Sequence, residues 1–480
     1  MDPARLPALR RALQALHAGE FRAARDISAP WADGPADLEA GLIHALACAA
    51  DGDTGTAPAL ARIARSRPDS NHPVQDVLDL LRRAGRPADA IPHVRAAVLE
   101  MPDDARMPQL LGALLAEFGP MPDATEAFRR VIALRPAAAG WSNLGKALAA
   151  QGRFAESDAA HRQALALAPS DAQLALNHAV ALLKSGRLAE GWEALEYRYR
   201  LPGRRAPLPG PRAADLEAVA GRTVLLCQEE GLGDTLQMIR YAPLLAARGA
   251  RVLAWVPAAL MRLVAAVEGV AGVVPTGALP RFDVWCPMLS LPRLFGTTLD
   301  RMPPATPYLH ADPAAAARWA ARLPQGGLRV GVAWAGGLHP NDPTAAATDR
   351  VRSMAPRYLA PLAALPGVRL VSLQLGVAPP PDLGMADPMP DVRDFADTAG
   401  IVANLDVVVS VDTSVAHLAA GMGKPVLLLD RYDACWRWLH GRADSPWYPT
   451  LTILRQPSPG DWPSAVAAAA AALSGFRPTP

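Results

Sequence analysis

Three polar residues, Asp412, Thr413 and Ser414, follow directly on a β-branched run from Val407 to Val411, and His417 comes one helical turn later. A small-residue helix pattern continues to about Gly421, and Gly423-Lys424-Pro425 turns into a second apolar run. Strand, tight turn, helix, strand is one βαβ unit of a parallel sheet. The polar residues fall where the strand ends and the helix begins. The first N–H groups of a helix lack intrahelical partners and the positive end of its dipole faces outward there, which favours an anion such as a phosphate. Ligands of open α/β sheets bind at these carboxyl ends of strands. The competing reading of the same residues is an ordinary capped helix with a satisfied histidine.

A second turn of this kind, Gly231-Leu232-Gly233-Asp234-Thr235, follows the strand pattern that opens at Thr223. Asp is a preferred helix N-cap, which alone accounts for Asp234. Gly231 and Gly233 either let a ligand approach the backbone or only make the turn. A third polar stretch runs irregularly from Ala335 to Arg352, after the strand pattern VGVAW. Arg352 there suits a bidentate phosphate contact or is a solvated loop charge. Gln374 ends the strand RLVSLQ, where it touches a nucleotide base or is a plain polar strand end. Trp436, Trp438, Trp447 and Tyr448 either stack on a sugar or nucleobase or pack a C-terminal helix on the core. Asp51-Gly52-Asp53 has the look of a metal-binding Asp-x-Asp but lies in a repeat turn. No other His or carboxylate cluster has ligand spacing, so no metal and no cofactor is expected.

These turns need rigid elements to hold them. From Thr223 onward, strand and helix patterns alternate as two doubly wound lobes: residues 223–325, and residues 326–480, whose last helix (Ala465 to Leu473) is placed to cross back to the first lobe. Leu236 to Ala247 reads as one amphipathic helix. Before them, residues 204–222 form a Pro-rich linker, semi-rigid where Pro is dense. Earlier still, glycines recur at 19, 52, 85, 119, 152 and 186, in steps of 33 or 34, and prolines at 35, 68, 102, 136, 169 and 202. A period near 34 means stacked helical hairpins, with Gly left-handed after each first helix and Pro after each second.

Composition sets outer limits. The chain has 480 residues, 51% of them hydrophobic, enough for two or three full cores. A net charge of +2 is too small to neutralise a phosphate track, so no nucleic-acid partner is expected. Cys48, Cys227, Cys286 and Cys435 are far apart and suit a reducing, cytoplasmic setting. The N-terminus lacks the apolar core of a secretory signal, and no apolar run approaches a membrane span.

The copy GWSNLGKALAAQGRFAESDAAHRQALALAPS, with Trp141, Leu144, Gly145, Leu148, Ala164 and Pro169, resembles the tetratricopeptide repeat. About six copies over residues 1–203 imply an α-solenoid whose concave face holds an extended peptide or partner protein. The segments GLGDTLQMIRYAPLLAARGARV, FDVWCPMLSLPRLFGTT, VGVAWAGG, SVDTSVAHLAAGMGKPV and WRWLHGRADSPWYP resemble the heptosyltransferase-like glycosyltransferases, family 9-like, of GT-B fold. The whole chain is similar to bacterial proteins that join the two. The resemblance implies an acceptor-side first lobe and a nucleotide-sugar-side second lobe. It implies that Asp234 is a general base taking the proton of an acceptor hydroxyl. It places the donor against Gly231, Gly233, Trp334, Gly336, Arg352, Ser353, Gln374, Asp412, Thr413, Ser414 and His417. The chain departs from the family at Pro340, where a Lys is common, and in the extra length PTAAATD. The implied function is an inverting, metal-independent glycosyltransferase acting on a protein acceptor recruited by the repeats. The alternatives are an enzyme acting on a lipid-linked saccharide, or a non-catalytic repeat scaffold with a degenerate transferase domain.

Overall fold

A computed structural model of the chain describes residues 4–32, 38–65, 73–201, 208–303, 307–337 and 343–476. They form two compact units, Met1–Ser170 and Asp171–Pro480. Among the described residues no helix is long and apolar enough to cross a membrane.

The first unit is a row of helical hairpins: α1 (Arg5–His17) with α2 (Phe21–Ala32), α3 (Leu38–Asp51) with α4 (Ala57–Arg65), α5 (Pro73–Arg83) with α6 (Ile91–Glu100), α7 (Arg106–Phe118) with α8 (Met121–Leu134), and α9 (Ala138–Ala150) with α10 (Phe154–Leu167). Gly19, Gly52, Gly85 and Gly152 take φ of 81°, 108°, 71° and 72° between paired helices, the left-handed conformation the spacing predicts. Gly119 departs from it. Its backbone is extended, with φ −130°, and α8 starts at once after Pro120. Glycine is needed there for room, because a Cβ would stand 2.6 Å from the Leu115 side chain. Asp53 accepts from the Gly55 N–H at 2.9 Å and Asp51 pairs with Arg25, so this acidic pair makes a repeat turn.

The second unit opens with a sixth hairpin, α11 (Ala172–Lys184) and α12 (Leu188–Leu195). The described part of the Pro-rich segment is attached to the first lobe, not a free spacer: Ala213 N–H donates to Trp285 O at 2.9 Å and Trp285 N–H donates to Pro211 O at 3.0 Å. The first sheet holds β1 (Thr223–Cys227), β2 (Arg251–Val256), β3 (Val270–Pro275) and β4 (Val284–Pro287), all parallel, in the order β3-β2-β1-β4. The second holds β5 (Leu328–Ala333), β6 (Val368–Ser372), β7 (Val407–Val411), β8 (Val426–Asp430) and β9 (Leu451–Arg455), also parallel, in the order β6-β5-β7-β8-β9. Every residue of β7 and β8 is buried, as parallel strands covered on both faces require.

Around the first sheet run α13 (Leu232–Met238), α14 (Ala242–Ala246), α15 (Ala258–Val264) and α16 (Leu291–Leu294), while α17 (Pro313–Ala320) packs on the helix Phe395–Ala403 of the second lobe. The expected single helix from Leu236 to Ala247 is broken by a tight turn at Ile239–Tyr241. Pro243 has no N–H to donate back to Ile239, so one continuous ladder cannot form. Around the second sheet run α18 (Pro343–Arg352), α19 (Ala360–Ala363), α20 (Phe395–Ala403), α21 (Ser414–Gly421) and α22 (Trp462–Leu473). The stretch read as irregular up to Arg352 thus ends in a helix, α18, while Leu338 to Asp342, including Pro340, lie outside the described residues. The last helix does not cross to the first lobe. Val466, Ala469 and Leu473 of α22 cover Val409 and Leu427 on the outer face of the second sheet. A single continuous core joins the sixth hairpin, the first sheet and the inner face of the second.

Candidate functional site

Each sheet reverses its strand order once, between β1 and β4 and between β5 and β7, and loops at such points open into a ligand crevice. Helix α13 follows β1 and α21 follows β7, and the two helices pack on each other. A Cβ on Gly233 would stand 2.8 Å from His417 Cδ2 and 3.5 Å from Ser414 Cα, so glycine alone permits this approach. Gly233 of one lobe therefore meets Ser414 and His417 of the other. Thr413 is the N-cap residue of α21, yet its side chain does not cap the helix. Its Oγ1 is 3.0 Å from Ser410 Oγ instead.

Asp234 caps its own helix: Oδ2 accepts from the Gly231 N–H at 3.0 Å. Its other oxygen is held by Arg437, which reaches across from the loop after β8. Burial pulls the Arg437 guanidinium down to about 10, which leaves it charged at neutral pH. The guanidinium lies 4.1 Å over the Trp436 ring and 3.0 Å from Cys435 Sγ. Sequence reasoning assigned Arg437 no role. The only trace of it was the WRWLH segment, where aromatic residues flank a single Arg.

His417 is 3% exposed, stacked on Trp438 with ring centroids 5.0 Å apart. Its Nδ1 is 2.9 Å from the Tyr448 hydroxyl and its Nε2 is 4.0 Å from Asp412 Oδ1. Burial lowers its pKa to about 4, against the pull of Asp412 and with help from Arg240 and Arg352, so the ring is neutral at pH 7. Burial keeps Tyr448 a phenol. Its O–H donating to Nδ1 leaves the ring proton on Nε2, facing Asp412, which is the favourable electrostatic arrangement.

The third group assembles at the end of β5. The Gly336 N–H donates to Ser353 Oγ at 3.0 Å, and a Cβ on Gly336 would stand 2.7 Å from the Arg352 guanidinium. Arg352 donates from Nε to Asp349 at 2.7 Å, so its charge is held within α18. Gln374 uses its carbonyl oxygen to accept from the Trp334 and Ala335 N–H groups at 3.1 and 2.9 Å, fixing the strand end rather than reaching for a base. The Trp334 ring is 2% exposed and part of the second lobe's core, so it does not face the crevice. The aromatic cluster offers no stacking surface either. Trp436, Trp438, Trp447 and Tyr448 are buried, and they pack against the sixth hairpin and His417, not against the C-terminal helix: Trp192 meets Trp436 at 5.3 Å and Trp447 at 6.3 Å, both edge-on. Among the described residues no three His, Cys, Asp or Glu side chains gather as a metal-ion cluster.

The first unit carries its own concavity, a groove of about 400 Å³ along α1, α3 and α5. Leu16, Leu42, Ile43 and Leu80 are among its apolar lining, with the carboxylates of Glu39, Asp76 and Asp79 beside them. Burial, followed by the neighbouring Asp79, raises the pKa of Asp76.

The fold and this geometry define a helical-repeat protein joined to a unit of two parallel-sheet lobes that meet at their strand ends. No family model matches the chain. It is 27% identical over 455 residues to Protein FlbA of Caulobacter vibrioides, spanning 86% of this chain and 74% of that protein. Among solved structures it is similar to a glycosyl transferase of family 9 from Veillonella parvula, with 10% identity over 50% of this chain and 87% of that one and a TM-score of 0.37. It is also similar to a thermophilic TPR protein of Thermus thermophilus, with 23% identity over 37% of this chain and 98% of that one and a TM-score of 0.23.

Proposed function

We propose that the second unit is an inverting glycosyltransferase. A nucleotide-activated sugar places its diphosphate at the N-terminus of α21, near Thr413 and Ser414, and Asp234 accepts the proton of an acceptor hydroxyl. A single displacement at the anomeric carbon inverts its configuration. What supports this reading is the contact of Gly233, the neighbour of Asp234, with Ser414 and His417 in the first turn of α21. Neutral His417 fits as a hydrogen-bond donor to a phosphate oxygen, and Arg352 stands near enough to act on its titration. The groove on α1, α3 and α5 supports recruitment of a protein acceptor, because a solenoid offers surface beyond what stability needs.

Titration with nucleoside diphosphates tests the donor site, and intact mass of co-purified proteins tests transfer. One nucleotide is expected to bind, a protein is expected to gain the mass of a sugar, and Asp234→Asn is expected to reduce transfer by about two orders of magnitude or more while nucleotide still binds. Transfer at the wild-type rate by that variant would remove Asp234 from the mechanism. The scaffold reading has one observation in its favour, the occupation of both Asp234 oxygens within the protein. Failure of every common nucleoside diphosphate to bind would select it.

A further inference from the structure

A base must present a lone pair to the hydroxyl it deprotonates. Asp234 is engaged at both oxygens, by the Gly231 N–H and by Arg437. The first contact closes the turn that starts α13 and is compatible with catalysis, since a carboxylate oxygen has a second lone pair. The second is a charge pair that neutralises the group and blocks its approach. It is also the one that a ligand can replace. Arg437 comes from the lobe that carries α21, on the loop after β8, and reaches the place where α13 and the N-terminus of α21 meet. Its planar fork matches a phosphate as well as a carboxylate.

We propose that Arg437 is the cation for the donor diphosphate, and that it alternates between Asp234, where it stands here, and the bound donor. The proposal rests on the glycosyltransferase reading above. Binding of the nucleotide sugar draws Arg437 onto the diphosphate and releases Asp234, so the base is freed only when a donor is in place. In the transfer step the acceptor O–H proton passes to Asp234 and a bond forms between that oxygen and the anomeric carbon. The bond from that carbon to the diphosphate oxygen breaks, and the nucleoside diphosphate keeps the electron pair, its added charge facing Arg437. Donor binding therefore precedes acceptor activation, and water has no free base to exploit beforehand.

Calorimetric titration of inorganic pyrophosphate into the full-length protein tests this without knowledge of the nucleotide. Asp234→Asn keeps an oxygen for the Gly231 N–H but loses the charge that competes for Arg437. It is expected to bind pyrophosphate about tenfold tighter than wild type, and Arg437→Gln about tenfold weaker, the size of one charge-assisted hydrogen bond. In the double variant the gain from Asp234→Asn disappears. Arg437→Lys, which retains the charge, is expected to lie between wild type and Arg437→Gln, and serves if Arg437→Gln fails to fold. Affinity unchanged or weakened in Asp234→Asn overturns the proposal, as does a gain that persists without Arg437, since that would be a general effect of removing a negative charge. Nucleoside diphosphate binding without the Asp234→Asn gain removes only the exchange of partners. Absence of binding by pyrophosphate and by every nucleoside diphosphate removes the glycosyltransferase reading with it.

Discussion

His417 shows how burial decides the chemistry of a single residue. The unfolded chain takes up a proton there near the ordinary 6.5, the folded chain only near 4. Between those values the unfolded state holds more protons, so stability is complete above 6.5 and falls as pH drops toward 4. The effect is on the order of 3 kcal/mol. Asp430 acts in the opposite sense. Burial raises its pKa to about 6, against the pull of Arg455, so its contribution is present below the ordinary 3.8 and lost as pH rises through 6. A melting curve of the wild type alone mixes the two. The difference between wild type and His417→Asn isolates the histidine, because Asp430 is common to both. We expect that difference to be largest above pH 6.5 and to shrink by pH 4. A difference independent of pH would mean that the imidazole takes up its proton in the fold as readily as in the unfolded chain.

At the scale of elements, the sixth hairpin holds both loops of the candidate site. The turn after α12 carries Arg198, which is 2% exposed and donates to Glu229 at 3.0 and 3.1 Å, just ahead of Gly231 and Asp234. Burial opposes the charge of Arg198, but Glu229 outweighs it and raises the pKa. On the other side, Lys184 pairs with Asp433 and Trp192 packs on Trp436, flanking the loop that carries Arg437. Arg198→Ala strands a buried carboxylate and is expected to cost about 3–5 kcal/mol, read as a fall in the denaturation midpoint. A loss under about 1 kcal/mol, the size of an exposed pair, would show that water reaches Glu229. None of this was legible in the sequence. Most strands of the two sheets were, because β-branched runs between turn residues need no distant partner to be recognised, but β9 (Leu451–Arg455) was not read as one. So were the repeats, through their Gly and Pro period, and the turns at Asp234 and Asp412. The fate of Trp436, Trp438, Trp447 and Tyr448 was not, since it is set by Trp192 and His417, both far away in the chain. The break at Ile239–Tyr241 is legible too, in Pro243 and its missing N–H.

At the scale of the whole chain, the boundary between the compact units falls within the repeat array, before the sixth hairpin, and not at its end. Asp171 stands at that boundary and caps α11, accepting from the Gln173 and Leu174 N–H groups at 2.9 and 3.2 Å. A chain that starts at Asp171 therefore keeps the cap, the hairpin and the ion pair to Glu229. One that starts at residue 204 loses Lys184, Trp192 and Arg198 together. The first is expected to unfold cooperatively and to bind pyrophosphate as the full chain does. The second exposes Trp436 and Trp447 to solvent on the hairpin side and leaves Glu229 without its cation, a combined loss comparable to the roughly 5–15 kcal/mol stability of an ordinary domain. It is expected to show no cooperative transition by calorimetry. The chain from Asp171 also lacks the groove on α1, α3 and α5. If that groove presents a protein acceptor, this chain keeps hydrolysis of the nucleotide sugar or transfer to a small alcohol and loses transfer to the protein. Equal stability of the two truncated chains would show that the sixth hairpin belongs with the repeats, and undiminished transfer to the protein would show that the acceptor is chosen by the lobes alone.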